Sequence, residues 1–216
     1  MKEVEAGPAG PIPRERRHAR RLSQLFTQLA EDAQDRVTMG NIRDALGTRS
    51  FAALLVLFAA FNLLPLPPGT SAVLGVPLLI VSAQMMFGSK RVWLPGFVSE
   101  KSLSAEQFRA IMERVIPRLK QLECYVKPRY WPFWRRRGDR VIGVVAFLLA
   151  VVVTLPIPLG NWLPAFSTAL LGLALSERDG ILLAVGSAVG VAALSVVMLV
   201  VGTATAATQA ALGWVF

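Results

Sequence analysis

Apolar residues fill this chain in blocks from Phe51 onward, while the first fifty residues are polar. Ser50 to Leu64 is 15 residues long and, past Ser50, apolar apart from Asn62. As a helix it spans about 22 Å, short of a hydrocarbon core of roughly 30 Å. Pro65 and Pro67 stop it. Thr70 to Phe87 is apolar again, with Pro77 near its middle and Gln84 inside it. Val141 to Leu155 is a second short run of 15 residues, stopped by Pro156 and Pro158. Asn161-Trp162-Leu163-Pro164 opens its partner, which runs to about Leu175. Ile181 to Val201 is 21 uncharged residues, enough for a full span. Residues 202–216 extend that span or lie at the far interface. The count is five membrane segments, which puts the C-terminus outside.

Between and before these blocks the pattern changes to helical stripes. Leu22, Leu25, Phe26, Leu29 and Ala33 share one helix face, with Glu31, Asp32 and Asp35 off it. That helix lies on the membrane or packs on the body. Val37 to Asn41 breaks it, and Thr38 caps a short helix from Asn41 to Leu46 that Gly47 ends. Phe108, Ile111, Met112, Val115, Ile116, Leu119 and Leu122 form a second stripe, bent or interrupted at Pro117. Ser104 with Gln107 has the spacing of a capping box in front of it.

The two short runs are copies. Leu64-Pro65-Leu66-Pro67-Pro68-Gly69 recurs, 91 positions on, as Leu155-Pro156-Ile157-Pro158-Leu159-Gly160. Gly47-Thr48-Arg49 and Gly138-Asp139-Arg140 precede the two runs at the same offset. This predicts an all-α integral membrane protein built on two duplicated, Pro-x-Pro-broken hairpins and a C-terminal transmembrane helix, with amphipathic cytoplasmic helices. The boundaries are a disordered basic arm (1–20), amphipathic helices (21–47), hairpin repeat 1 (48–88), a basic segment (89–138), hairpin repeat 2 (139–176), and a turn with the last helix (177–216). Re-entrant hairpins and fully spanning hairpins both fit. In either geometry the two repeats run parallel.

Charge sets the orientation. The chain has 23 Lys+Arg against 14 Asp+Glu and a mean hydropathy of +0.51. Residues 89–140 hold 13 cations and 5 acids, and residues 181–216 hold no charge. Cations beside apolar blocks mark a cytoplasmic membrane face, so the N-terminus is expected to be cytoplasmic too. Tyr125, Tyr130, Trp131, Phe133 and Trp134 interleave with Lys127, Arg129, Arg135, Arg136 and Arg137. Before a hydrophobic span this reads as an interfacial belt, with Arg135, Arg136 and Arg137 on anionic lipid headgroups, rather than as a nucleic-acid surface. With Cys124 alone, no intrachain disulfide forms.

Candidate chemistry is sparse. No membrane segment has an interior ionisable residue, which disfavours ion-coupled pumping and catalysis. No cofactor, metal site or enzymatic activity is expected. Glu31-Asp32 and Glu177 with Asp179 read as solvated turns or helix faces. What remains is the repeated break, since paired interrupted segments mark transport sites. Each break is followed by a helix start, where backbone N–H groups lack partners and the dipole is positive. The candidate ligand-binding residues are Asn62, Pro65, Pro67, Gly69, Thr70, Ser71, Pro156, Pro158, Gly160, Asn161 and Trp162, with Ser167 and Thr168 as added donors. Alternatively these residues cap their own helices. Gly186 and Gly190 suit either intrachain packing or a dimer face.

Several motifs together resemble the bacterial exopolysaccharide-synthesis ExoD family. They are Arg36-Val37-Thr38-Met39-Gly40, Asp44-Ala45-Leu46-Gly47, Asn62 to Gly69, Trp93-Leu94-Pro95, Leu155 to Asn161 and Glu177-Arg178-Asp179-Gly180. The resemblance covers roughly residues 20–200 and implies a bacterial inner-membrane protein linked to exopolysaccharide production, without settled catalytic residues. The expectation is a homodimer in a bilayer with anionic lipids, binding or transporting a polar, anionic or lipid-linked solute. The alternative is a non-transporting scaffold or regulator of a polysaccharide synthase.

Overall fold

Proline and glycine punctuation sets most of the helix ends. The computed structural model describes residues 21–33, 36–46, 50–63, 70–89, 91–99, 102–132, 135–155 and 161–215. The helices are α1 (Leu22–Glu31), α2 (Met39–Leu46), α3 (Ser50–Asn62), α4 (Thr70–Met86), α5 (Gly96–Ser99), α6 (Ala105–Tyr125), α7 (Arg135–Thr154), α8 (Trp162–Glu177) and α9 (Gly180–Val215). Two short strands, β1 (Arg36–Thr38) and β2 (Ser102–Ser104), pair antiparallel with Val37 opposite Leu103. The fold is all-helical as expected, apart from this three-residue ladder. The stretch that breaks the first amphipathic helix is extended because it has a distant strand to pair with.

Helices α3, α4, α7 and α8 form a ring of neighbours. α3 packs on α4 and α8, and α7 packs on α4 and α8. Glycines permit the closest approach. A Cβ on Gly143 would meet Met86 N at 2.5 Å, and one on Gly75 would meet Thr154 Oγ1 at 2.8 Å. The start of α7 therefore lies beside the end of α4, and the start of α4 beside the end of α7, so the two run antiparallel. Across the ring, Gly172 of α8 sits against Ala52, Leu55 and Val56 of α3. Neighbouring helices thus alternate in direction. The C-termini of α3 and α7 and the N-termini of α4 and α8 share one end of the ring. From Ala52 to Asn62, α3 is buried on every face, as a helix apolar all round requires.

Helix α9 runs along α8 and touches α7. Ser167 Oγ donates to Gly186 O at 2.7 Å, and a Cβ on Gly190 would meet Ser167 Oγ at 2.8 Å. Both glycines serve intrachain packing, so the dimer-face option for them falls away. Residues 202–215 continue α9 as one helix of 36 residues, since no breaker intervenes. Among the described residues, Gly180–Ala206 is the one stretch long and apolar enough to cross a membrane.

At the other end of the ring α1 packs on α6. Leu22, Phe26, Phe108 and Met112 are fully buried, so α1 spends its apolar face on the body. The capping box forms as its spacing predicts: Gln107 N donates to Ser104 Oγ at 3.2 Å and Ser104 N to Gln107 Oε1 at 3.4 Å. Asn41 N likewise donates to Thr38 Oγ1 at 3.1 Å. Pro117 does not interrupt α6. Helix α7 begins at Arg135, earlier than the apolar run, so Arg135, Arg136 and Arg137 form its first turn. Their side chains, and hence their lipid contacts, lie outside what the structure describes.

Candidate functional site

The end of the ring that carries both proline breaks gathers the residues of interest. Asn62 closes α3 and is 5% exposed. Its Nδ2 donates to Phe58 O at 2.8 Å, while its Oδ1 is buried with no hydrogen-bond partner among the described residues. A buried acceptor left so costs about 1–3 kcal/mol. Such a group calls for a partner that the described residues do not supply.

Asn161 is buried at the entrance to α8. Its carbonyl accepts from Ala165 N at 3.1 Å, and its side chain does not cap the helix. Trp162 is half exposed beside the exposed Leu163 and Phe166, giving this end an apolar collar. Ser167 and Thr168 are fully buried but engaged, Ser167 with Gly186 O and Thr168 with Pro164 O at 2.8 Å. Their expected donation to a ligand is corrected, because packing within and between helices uses both hydroxyls. Thr70 and Ser71 form the first turn of α4, with side chains outside the described residues. Pro65, Pro67, Gly69, Pro156, Pro158 and Gly160 also lie outside them. The N-termini of α4 and α8 both point their positive dipole ends here.

The opposite end is held by two buried carboxylates. Asp179 is 1% exposed. It accepts from Lys127 N at 3.0 Å, Ile181 N at 2.9 Å and Leu182 N at 3.2 Å, and faces Arg129 Nε at 3.7 Å. Burial alone pushes its carboxyl up. The backbone N–H groups of Lys127, Leu182 and Ile181, with the Arg129 guanidinium, outweigh that and hold it below the ordinary carboxylate value. Gly180 N donates to Arg129 O at 2.8 Å, and a side chain at Gly180 would collide with Tyr130 O. Tyr130 and Arg178 adopt left-handed φ values of 51° and 55° to make this crossing. Asp179 is therefore a clasp between the basic segment and α9, which corrects its reading as a solvated turn. An Asp-Gly pair directly before an uncharged run is an N-cap signal that would have identified it.

Glu123, 2% exposed, is the second. Its carboxylate accepts from Ser23 N at 2.9 Å and Ser23 Oγ at 2.5 Å, at the N-terminus of α1. Arg109 donates to Ala30 O at 3.1 Å and Ala33 O at 2.5 Å, at the other end of the same helix. Helix α6 thus answers both poles of the α1 dipole. Sequence reasoning missed Glu123, although it continues the buried line of Met112 and Leu119. Gln84 gives a further tie: its Nε2 donates to Trp93 O at 2.5 Å and Trp93 N donates to its Oε1 at 2.7 Å. Among the described residues no cluster of His, Cys, Asp and Glu is placed to hold a metal.

Comparison with known proteins adds a family. The model described as "Exopolysaccharide synthesis, ExoD" matches residues 22–199. An uncharacterized protein of Synechocystis is 31% identical over 170 residues, covering 77% of this chain and 80% of the relative. Protein ExoD of Rhizobium meliloti is 26% identical over 174 residues, covering 77% of this chain and 72% of the relative. No solved structure matches.

Proposed function

The chain belongs to the ExoD family of exopolysaccharide-synthesis proteins, and from that premise we propose that it is a multi-pass inner-membrane protein that binds or moves a solute at its paired broken helices. The solute is polar, anionic or lipid-linked, and the action is non-enzymatic. The N-terminus is cytoplasmic and the four ring helices descend from one duplicated hairpin. Exchanging the repeats supports the last point. Swapping α3 with α7 and α4 with α8 turns the α4–α7 contact into the α8–α3 contact and keeps both hairpins.

The observation that carries the proposal is the buried Asn62 Oδ1, without a hydrogen-bond partner among the described residues, at the end where the flanks of both breaks lie. A ligand that donates to it would offset its desolvation cost. The experiment is Asn62→Leu in purified protein and proteoliposomes. The variant is expected to be more stable by about 1–2 kcal/mol, a melting temperature about 2–8 °C higher, because the buried carbonyl oxygen is gone. It is also expected to lose uptake or binding of anionic and lipid-linked saccharides. Flux and binding equal to the wild type would sink the proposal.

A second reading has its own observation. A groove of about 630 Å³ opens between α1 and α6, lined by Thr27, Glu31, Arg109, Glu113, Pro117 and Lys120 among others. A folded, charged clip with an open groove favours a scaffold that docks a polysaccharide synthase. In that case charge reversal at Arg135, Arg136 and Arg137 is severe and Asn62→Leu is silent.

A further inference from the structure

Helix α9 is much longer than the ring it leans on, and the difference measures depth. Its apolar stretch Gly180–Ala206 has 27 residues, about 40 Å of helix. Helix α8, antiparallel beside it, has 16 residues, about 24 Å. The contacts of Ser167 with Gly186 and Gly190 fix their register. Among the described residues, Ala193 and Val197 are the last buried apolar residues of α9. Beyond them Met198 is 72% and Leu199 68% exposed, and residues 200–206 are exposed as well. A Cβ on Gly202 would have nothing within 4 Å. The helix therefore leaves the ring at its proline-break end, bare on every face and without a charge.

The other end of α9 is pinned. Gly180 follows Arg178 and Asp179 and is bonded to the basic segment through Arg129. Arg140 lies over Gly88 at the same end of the ring, its Nε 2.6 Å from where a Cβ would stand. Charges of this density stay out of hydrocarbon, so α9 starts at the near boundary. A core of roughly 30 Å then exceeds the height of α8 by about 6 Å.

We propose that the ends of α3, α4, α7 and α8 that flank the proline breaks lie inside the hydrocarbon core, below the far headgroups, and that acyl chains cover bare α9 beyond them from Met198 to about residue 200, where roughly 30 Å from Gly180 is reached. The hairpins are then re-entrant. Lipid is the occupant the observations favour over a second copy. A partner helix covers one stripe, whereas this segment is bare all round, and the small residues Gly186 and Gly190 are already closed against α8. The inference rests on the membrane reading proposed above and on no ligand.

The test uses the full chain with Cys124→Ser and single Leu163→Cys, Met198→Cys or Leu199→Cys variants, all at exposed positions. Each is spin-labelled and reconstituted into phosphatidylethanolamine–phosphatidylglycerol vesicles, and collision rates with oxygen and with an aqueous nickel chelate are measured. At all three sites oxygen is expected to exceed nickel. Dominant nickel access at Leu163→Cys would put the break end at the surface and overturn the proposal. Dominant nickel access at Met198→Cys or Leu199→Cys would overturn it by placing α9 in water. Protection from both reagents with spin–spin broadening would overturn it in favour of a second copy. Loss of solute binding in Asn62→Leu leaves all these rates unchanged, so the two proposals fail separately.

Discussion

Removing the Asp179 carboxylate deprives three backbone N–H groups of their acceptor at once. Loss of the α9 N-cap at Ile181 and Leu182 is worth about 1–2 kcal/mol. Orphaning the Lys127 N–H adds about 1–2 kcal/mol. The Arg129 pair adds under about 1 kcal/mol, because its guanidinium side chain is 42% exposed and screened. Asp179→Ala should therefore cost about 3 kcal/mol, which for a chain of this length lowers the melting temperature by about 6–12 °C. Asp179→Asn keeps one neutral acceptor and should fall about midway. The assay is thermal unfolding in detergent, followed by tryptophan fluorescence. The pH dependence has a definite sign. The folded carboxyl lies below its unfolded value of about 3.9, so its contribution is complete above that value and fades as pH falls through the folded one. The gap between wild type and Asp179→Ala should be constant above about pH 5 and close on acidification. A drop under about 2 °C, or a gap that widens in acid, would refute the clasp.

Two further perturbations test the packing. Gly143→Ala drives a Cβ into Met86 N and Met85 C, which are backbone and cannot yield. It should separate α4 from α7 and cost about 1–3 kcal/mol in the same thermal assay. Glu123→Ala leaves Ser23 N–H and its hydroxyl unsatisfied at the start of α1. Limited proteolysis should then cut residues 21–36 faster than in wild type, while the fluorescence melt of the ring changes little.

What the sequence made legible was local or repeated. Ser104 with Gln107 and Thr38 with Asn41 are contacts three residues apart, so spacing alone exposes them. The 91-residue offset carries the expectation of parallel repeats, which belongs with the proposed function; the ring brings the flanks of both breaks to one end. The unread parts depend on distant partners. Val37 is a strand residue only because Leu103 stands opposite it. Asp179 looked solvated because nothing near it in sequence reveals that Lys127 and Arg129 close over it. Gly186 and Gly190 have a spacing that serves a neighbouring helix or a second copy equally well, and Ser167 decides between them.

Depth narrows the choice of ligand. On the depth proposed above, Asn62 Oδ1 lies below the far headgroups. A free anion arriving there crosses several ångströms of hydrocarbon unless the protein provides a wet path, and the collar of Trp162, Leu163 and Phe166 is apolar. A polar group carried on a lipid bears the same desolvation cost at its head, but its chain holds it in the leaflet beside the break flanks, which raises its local concentration there. Bare, uncharged α9 beside the same end offers that chain a surface without rejecting it. Of the solutes proposed for the broken helices, the lipid-linked class therefore fits the geometry better than a free anion.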